Sequence, residues 1–242
     1  MFGKNIRKIV GANRFWILPL LEGASFLTFK LNYFAHKLMY FVEWCPPEPT
    51  FVDRYSNLSY TWIKTRNPMW VERGVFNNLL IKKNGKVLDL ACGDGFNTRN
   101  FYSLKAKEIL AVDIDVGAIS KAISKNSLNN ITYKIMDLKK DFPHEKFDNI
   151  IMDAVLQHFS PKEIKMLFNK IKLALNTKGI FSGNAIAEVD CKDKKELESY
   201  LKTFFKHITI YETFYPDRHN LYFVASNYPF SKNNFFDYKL KK

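Results

Sequence analysis

The 242-residue chain is 47% hydrophobic and 25% charged, which suffices for one sizeable core with an added subdomain and excludes a disordered chain. Its formal charge of +13 draws anionic partners, yet the lysines are spread over Lys82 and Lys83, Lys139 and Lys140, Lys162 to Lys178 and Lys192 to Lys195, as on solvated helix faces, so a nucleic-acid partner is not favoured. Cys45, Cys92 and Cys191 are scattered without a C-x-x-C pair, which excludes a disulfide framework and a zinc site and fits a reducing cytoplasm.

The first 84 residues form a region of their own. Pro19, Glu22 and Gly23 interrupt the apolar stretch Phe15 to Phe29, so it falls short of the roughly 20 apolar residues a membrane span requires. Glu22 also breaks the short apolar run after Arg14, and no cleavage site follows, which argues against a signal peptide. Leu27, Leu31, Phe34, Leu38 and Phe41 recur at alternating spacings of four and three and predict a helix with one apolar stripe, widened by Phe26, Tyr33 and Tyr40. Three uses of that stripe are open: a cap on a catalytic domain, a dimer contact, or attachment to a membrane surface aided by Lys4, Arg7, Lys8 and Arg14. Cys45-Pro46-Pro47-Glu48-Pro49 breaks helical structure, and the aromatic stretch Tyr55 to Trp70 is expected at the mouth of an active site.

From Lys86 to Ala187 short apolar strands alternate with helical patterns, the signature of a parallel sheet covered on both faces. The strand Lys86-Val87-Leu88 runs into the acidic, glycine-rich loop Asp89-Leu90-Ala91-Cys92-Gly93-Asp94-Gly95, whose glycines let backbone amides approach a ligand. A second strand, Glu108 to Asp113, ends in a carboxylate suited to ribose hydroxyls. Asp115 takes the alternative job of capping the next helix, because Val116, Ile119, Ala122 and Ile123 follow it at helical spacing. Ile131 to Met136 and Phe147 to Met152 are the third and fourth strands, followed by Asp137-Leu138 and by Asp153-Ala154-Val155-Leu156-Gln157-His158-Phe159. Ser160 and Glu163 form a capping box, with Pro161 opening a helix to about Leu175, and Gly179 to Ala187 is the fifth strand. A helix near Asp193 to Phe205 precedes two paired strands, Ile208 to Thr213 and Leu221 to Ser226, joined by a turn carrying Tyr215-Pro216-Asp217-Arg218-His219-Asn220.

This combination resembles the class I S-adenosylmethionine-dependent methyltransferases over roughly Gly85 to Ser226: Val87 to Gly95 match the family's first motif, Asp113 its second acid, and Asp153 to Phe159 its fourth motif. The resemblance implies an α/β fold, a Rossmann-like, mostly parallel seven-stranded sheet with an antiparallel last hairpin, here with an N-terminal helical cap. The expected domains are a cap region over 1–84, a catalytic domain over 85–228 and a peripheral tail over 229–242. It also implies S-adenosylmethionine as cofactor. Asp89, Ala91, Cys92, Gly93 and Gly95 would hold its methionine end, Asp113 the ribose, and Ile114, Asp137 and Leu138 the adenine, with Asp153 where the methyl faces the acceptor. An acidic loop suits a cationic sulfonium and ammonium. Cys92 reads as a small packing residue, not a nucleophile.

His158 lies just past the fourth strand and is the candidate catalytic base if the acceptor is a hydroxyl; holding a loop or the cofactor cleft is its other reading. Asp217, Arg218 and His219 form a second constellation, suited to a phosphate or to sugar hydroxyls, although an exposed turn also favours polar residues. Asp153-Ala154-Val155-Leu156 stands where base-amine methylating enzymes carry an Asn/Asp-Pro-Pro-aromatic run, and no metal-ligand spacing appears, which disfavours both of those types. The leading expectation is a cytoplasmic O-methyltransferase for a small anionic acceptor. The segment Pro216 to Phe223 looks like methyltransferases of bacterial surface-polysaccharide clusters, which implies a nucleotide-linked sugar, a capsule sugar or a phosphoramidate-type modification. The alternatives are an RNA methyltransferase using the basic surface, and a cofactor-binding or membrane-peripheral partner subunit.

Overall fold

The computed structural model describes residues 13–42, 71–213 and 219–230. The chain divides into two compact units, Met1–Val71 and Glu72–Lys242. In the first, helix α1 spans Arg14–Val42 and runs unbroken through Pro19, Glu22 and Gly23, the residues that interrupt its apolar stretch. Pro19 sits early in the helix, where it removes a single backbone donor while the turns on either side keep theirs. No described helix is long and apolar enough to cross a membrane. Cys45, the proline run that follows it and the aromatic stretch Tyr55 to Trp70 lie outside the described residues.

The second unit opens within α2 (Val71–Leu80). Its seven strands are β1 (Lys86–Leu90), β2 (Glu108–Asp113), β3 (Ile131–Ile135), β4 (Phe147–Asp153), β5 (Leu175–Ile186), β6 (His207–Thr213) and β7 (Asn220–Ser226). They form one sheet in the order β3-β2-β1-β4-β5-β7-β6. The first five strands are parallel, and β7 runs antiparallel to both β5 and β6. The fold is therefore the expected Rossmann-like α/β architecture with an antiparallel final hairpin. Central strands covered on both faces must be apolar nearly throughout. Val87, Leu88 and Leu90 of β1, Ile109, Ala111 and Val112 of β2 and Ile150, Ile151 and Met152 of β4 are accordingly buried.

Phe181 anchors the core on β5, with its ring centroid 4.9 Å from that of Phe223, 5.4 Å from Phe168 and 5.7 Å from Phe205. Each such buried ring stabilises the fold by about 1.5–3 kcal/mol through loss of apolar surface to water. The connecting helices are α3 (Phe96–Asn100), α4 (Val116–Asn126), α5 (Pro161–Ala174) and α6 (Lys194–Lys202). Asp115 caps α4 by accepting from the Gly117 and Ala118 amides, and Ser160 with Glu163 makes the expected capping box on α5.

Several boundaries differ from the sequence pattern. β1 continues through Asp89 and Leu90, so the acid belongs to the strand instead of the loop. β3 stops one residue early, at Ile135. β5 begins at Leu175 instead of Gly179 because Leu175 already pairs with Phe147; the chain then bulges before Ile180 pairs with Asn149, with Lys178 in the left-handed region at φ 63°.

Candidate active site

Strand order reverses at β1, whose neighbours are β2 on one side and β4 on the other, and in open α/β sheets the ligand crevice lies outside the carboxyl ends at such a point. Asp89, Asp113 and Asp153 stand at or next to the carboxyl ends of β1, β2 and β4. Asp89 is buried and its Oδ2 accepts the Thr98 hydroxyl of α3 at 2.5 Å. Burial pushes its carboxyl up to about 8; the Thr98 hydrogen bond opposes this, and the charges of Asp153 and Asp113 raise it further.

The loop beyond β1 is held by backbone geometry. Ala91, Gly93 and Gly95 all occupy the left-handed region, at φ 56°, 56° and 74°. The Gly93 amide donates to Asp113 Oδ2 at 2.8 Å, and the Asp115 amide donates to Asp113 Oδ1 at 2.9 Å. Asp113 thus locks the loop to the end of β2 and keeps lone pairs on both oxygens for a ligand. The two glycines have different surroundings. A Cβ built on Gly93 meets no atom within 4 Å, whereas one on Gly95 would lie 2.4 Å from the Tyr133 hydroxyl. Gly93 borders open space, and Gly95 permits the loop to close on β3. Burial, then the charges of Asp89 and Asp113, push the Cys92 thiol up, which fits a packing role and not a nucleophile. Ile114 is exposed beside Asp113, Asp137 Oδ1 accepts the Lys139 amide at 3.0 Å, and Leu138 turns its side chain into the core.

The β4–β5 side is built from side chains instead. Asp153 accepts from Asn77 Nδ2 of α2 at 3.0 and 3.2 Å and from the Tyr102 hydroxyl at 3.1 Å. Asn77 Oδ1 in turn accepts the Ser182 hydroxyl of β5 at 2.8 Å. Burial raises the Asp153 carboxyl, opposed by the charge of Arg73 and then by the Asn77 and Tyr102 hydrogen bonds. The Tyr102 phenol is pushed well up by burial and by the nearby Asp153 and Asp89. Tyr222 of β7 donates to Glu72 of α2 at 2.9 Å, extending the polar layer under that helix. Asn184 lies opposite Asp153 in the β4–β5 register and is 1% exposed, yet neither its Oδ1 nor its Nδ2 has a hydrogen-bond partner among the described residues. A buried carboxamide in that state costs about 1–3 kcal/mol.

Asn77, Tyr102, Ser182 and Asn184 were not legible as site residues in the sequence. The available signal was Ser182-Gly183-Asn184, a polar interruption of an apolar strand, and it names no partner.

His158 ends the 3₁₀ turn Leu156–His158 that directly follows β4; its ring is exposed, with Nε2 3.4 Å from Gln157 Nε2. Asp190 fastens this turn to β5, accepting the Gln157 amide at 3.2 Å and the Ile186 amide at 2.8 Å. His219 Nε2 lies 2.9 Å from Glu212 Oε2, and Glu212 also pairs with Lys194 at 2.6 Å. Asn220 pairs with both Ile186 and Thr213, so the hairpin ends reach the same sheet edge as the carboxyl end of β5. Asp217 and Arg218 lie outside the described residues.

A doubly wound sheet with acidic strand ends and a left-handed glycine loop at its switch point is the arrangement in which open α/β folds present a ligand crevice. Residues 87–179 match the methyltransferase domain family. A ribosomal protein L11 methyltransferase of Caldicellulosiruptor saccharolyticus is 30% identical over 133 residues, covering 53% of this chain and 39% of that protein. The chain spans 39% or less of the length of the curated relatives it matches. Among solved structures, DhpI in complex with S-adenosylhomocysteine has a TM-score of 0.56 at 18% identity, covering 73% of this chain and 91% of the other. The N-methyltransferase NodS of Bradyrhizobium japonicum, also bound to S-adenosylhomocysteine, has a TM-score of 0.55 at 14% identity, covering 64% and 84%. These two likenesses show the fold. The domain match places a methyltransferase-like segment at residues 87–179, on the fold that those two structures share. The open face at Gly93 beside Asp89 and Asp113 fits a cationic ligand.

Proposed function

We propose that this chain methylates a hydroxyl of a small anionic acceptor in the cytoplasm, using the crevice between Asp113 and Asn184. The observation that carries this reading is the convergence of Asp89, Asp113 and Asp153 at adjacent strand ends, close enough that the latter two raise the Asp89 carboxyl. Such a cluster is costly unless a cation completes it. When bound, S-adenosylmethionine supplies a methyl group on a positively charged sulfur.

The residues of the chain then have four tasks. Asp89, with the Ala91-Cys92-Gly93-Gly95 loop, holds the methionine end; Asp113 holds the ribose; Ile114 and Asp137 flank the adenine, with only the backbone of Leu138 beside them. Asp153, fixed by Asn77 and Tyr102, faces the acceptor. His158 takes the hydroxyl proton as the carbon–oxygen bond forms. Arg218 and His219 are assigned to the acceptor's anionic part and Asp217 to its sugar hydroxyls. Fixing acceptor and methyl in line, with water excluded, is worth about 7–11 kcal/mol of barrier in favourable cases. A nucleotide-linked or capsule sugar, or a phosphoramidate-type modification, is the acceptor class that the hairpin segment Pro216 to Phe223 favours.

Calorimetry with S-adenosylmethionine and S-adenosylhomocysteine tests the donor side, with Asp113→Ala and Gly93→Val expected to abolish or strongly weaken binding; unchanged affinity in both sinks the assigned site. A panel of nucleotide sugars, phosphorylated sugars, bulk RNA and ribosomal protein L11, read by mass spectrometry, tests the acceptor. Exclusive methylation of RNA that is steeply lost with salt would replace this reading with an RNA methyltransferase. His158→Ala and His158→Gln should depress turnover at saturating cofactor with cofactor affinity intact; full activity removes His158 from the mechanism.

A further inference from the structure

Helix α1 carries an exposed apolar ridge. Trp16, Leu20, Leu27, Leu31, Phe34 and Leu38 fall within about 60° of one another around the helix axis, at 100° per residue. All six are 56% to 81% exposed. From Trp16 to Leu38 this ridge is about 33 Å long at the helical rise per residue. Arg14, Glu22, Lys30 and Lys37 occupy helix positions outside that arc.

Charge selects the occupant. Up to Val42 the chain holds Lys4, Arg7, Lys8, Arg14, Lys30 and Lys37 against the single acid Glu22. The ridge spacing also suits a coiled pair with a second copy, but the positions flanking that seam are Gly23, Lys30 and Lys37 on one side and Leu21, Thr28 and Ala35 on the other. No acid there answers the lysines, and the apolar surface spills beyond the narrow seam that a paired coil buries. An exposed apolar ridge with basic residues beside it and aromatic residues at one end is the pattern of a helix lying in a bilayer interface. The helix is not long and apolar enough to cross.

We propose that α1 docks in the plane of an anionic membrane surface, sinking the Trp16–Leu38 ridge among the acyl chains while its lysines meet lipid phosphates. This is independent of the acceptor assignment.

The test is flotation of the full chain with phosphatidylcholine vesicles prepared with and without phosphatidylglycerol. The protein is expected to float with the anionic vesicles, less at high salt, and weakly with phosphatidylcholine alone. Leu27→Glu with Leu31→Glu should weaken binding about tenfold or more, and Lys30→Glu with Lys37→Glu by a similar factor at low salt. Cofactor affinity by calorimetry should stay unchanged in both variants, which shows that the methyltransferase unit remains folded. Three outcomes overturn the proposal. One is a wild-type chain that floats with no vesicle. Another is flotation undiminished by the double glutamate variant. The third is a dimer by light scattering that the glutamates dissociate in a chain that never floats, which assigns the ridge to a second copy.

Discussion

On the β1–β2 side of the crevice the polar groups come from one short stretch of chain plus Asp113 and are held by backbone amides; on the β4–β5 side they come from α2, Tyr102, β4 and β5 and are held by one another. The first arrangement depends on chain conformation, since Ala91, Gly93 and Gly95 must keep positive φ for the amides to reach Asp113. The second depends on burial, since Asp153, Asn77, Tyr102 and Ser182 are tolerable inside only as a closed network. Damage to the two halves should therefore look different: strain and lost donor affinity on one side, stranded polar groups and lost turnover on the other.

Asp153→Ala makes the largest break, because it leaves the Asn77 amide and the Tyr102 hydroxyl without their shared acceptor. A stability loss of about 3 kcal/mol is expected by denaturant unfolding, with turnover down about a hundredfold, as for loss of a group that positions the reacting atoms. Donor affinity should move little, and an equal fall in donor affinity would mean the halves are not separate.

Within the donor side, Gly95→Ala should cost about 2–3 kcal/mol, adding overlap with Tyr133 to left-handed strain. Gly93→Ala should cost only about 1 kcal/mol while weakening cofactor binding more. Thermal unfolding paired with calorimetry separates them, and equal losses in both variants would erase the distinction between the glycines.

The raised carboxyl of Asp89 gives a pH signature of known sign. An acid whose folded pKa lies above its ordinary 3.8 holds a proton that the unfolded chain has lost, so its contribution is full below that value and disappears as pH climbs through about 8. Melting temperature should fall between about pH 4 and 8, and Asp89→Asn should flatten the slope. S-adenosylmethionine should gain affinity over the same interval more than S-adenosylhomocysteine, which lacks the sulfonium charge. A flat wild-type profile contradicts the buried-acid assignment.

The smallest effect is expected at Asn184. Asn184→Leu removes an unpartnered carboxamide of similar volume and should stabilise the fold by about 1 kcal/mol while raising the acceptor's KM. A destabilised variant would indicate that the carboxamide is satisfied in solution.

What could be read in advance follows the same division. β1, β2 and β4 were legible because buried parallel strands are short apolar runs, and Asp113 and Asp115 because one ends a strand while the other precedes a helical stripe. The Ser160–Glu163 box was legible because its partners are three residues apart. α2 was not, since Glu72, Arg73 and Asn77 point polar groups at the sheet and spoil the apolar period that marks a packed helix. Asn77 meets Asp153 across 76 residues and Ser182 across 105, and no local pattern encodes such a contact. The early start of β5 was hidden by its bulge.

Ala91, Ala154 and Glu188 stand one or two residues beyond β1, β4 and β5, each with positive φ. A left-handed residue turns the chain sharply in one step, and the amide next to it is already tied: Cys92 donates to the Val112 carbonyl at 3.0 Å, Ala154 to Asn184 at 2.7 Å and Glu188 to Cys191 at 2.7 Å. The first two bonds carry strand pairing past β1 and β4 before the loop departs, and the third closes the loop after β5 on itself. Loops leaving such fixed exits can be lengthened or exchanged with little disturbance to the strands. The Ala154 exit thus marks the loop after β4 as the segment to exchange when altering the proposed acceptor site, while the loop after Glu188 must keep Asp190 for its bonds to Gln157 and Ile186.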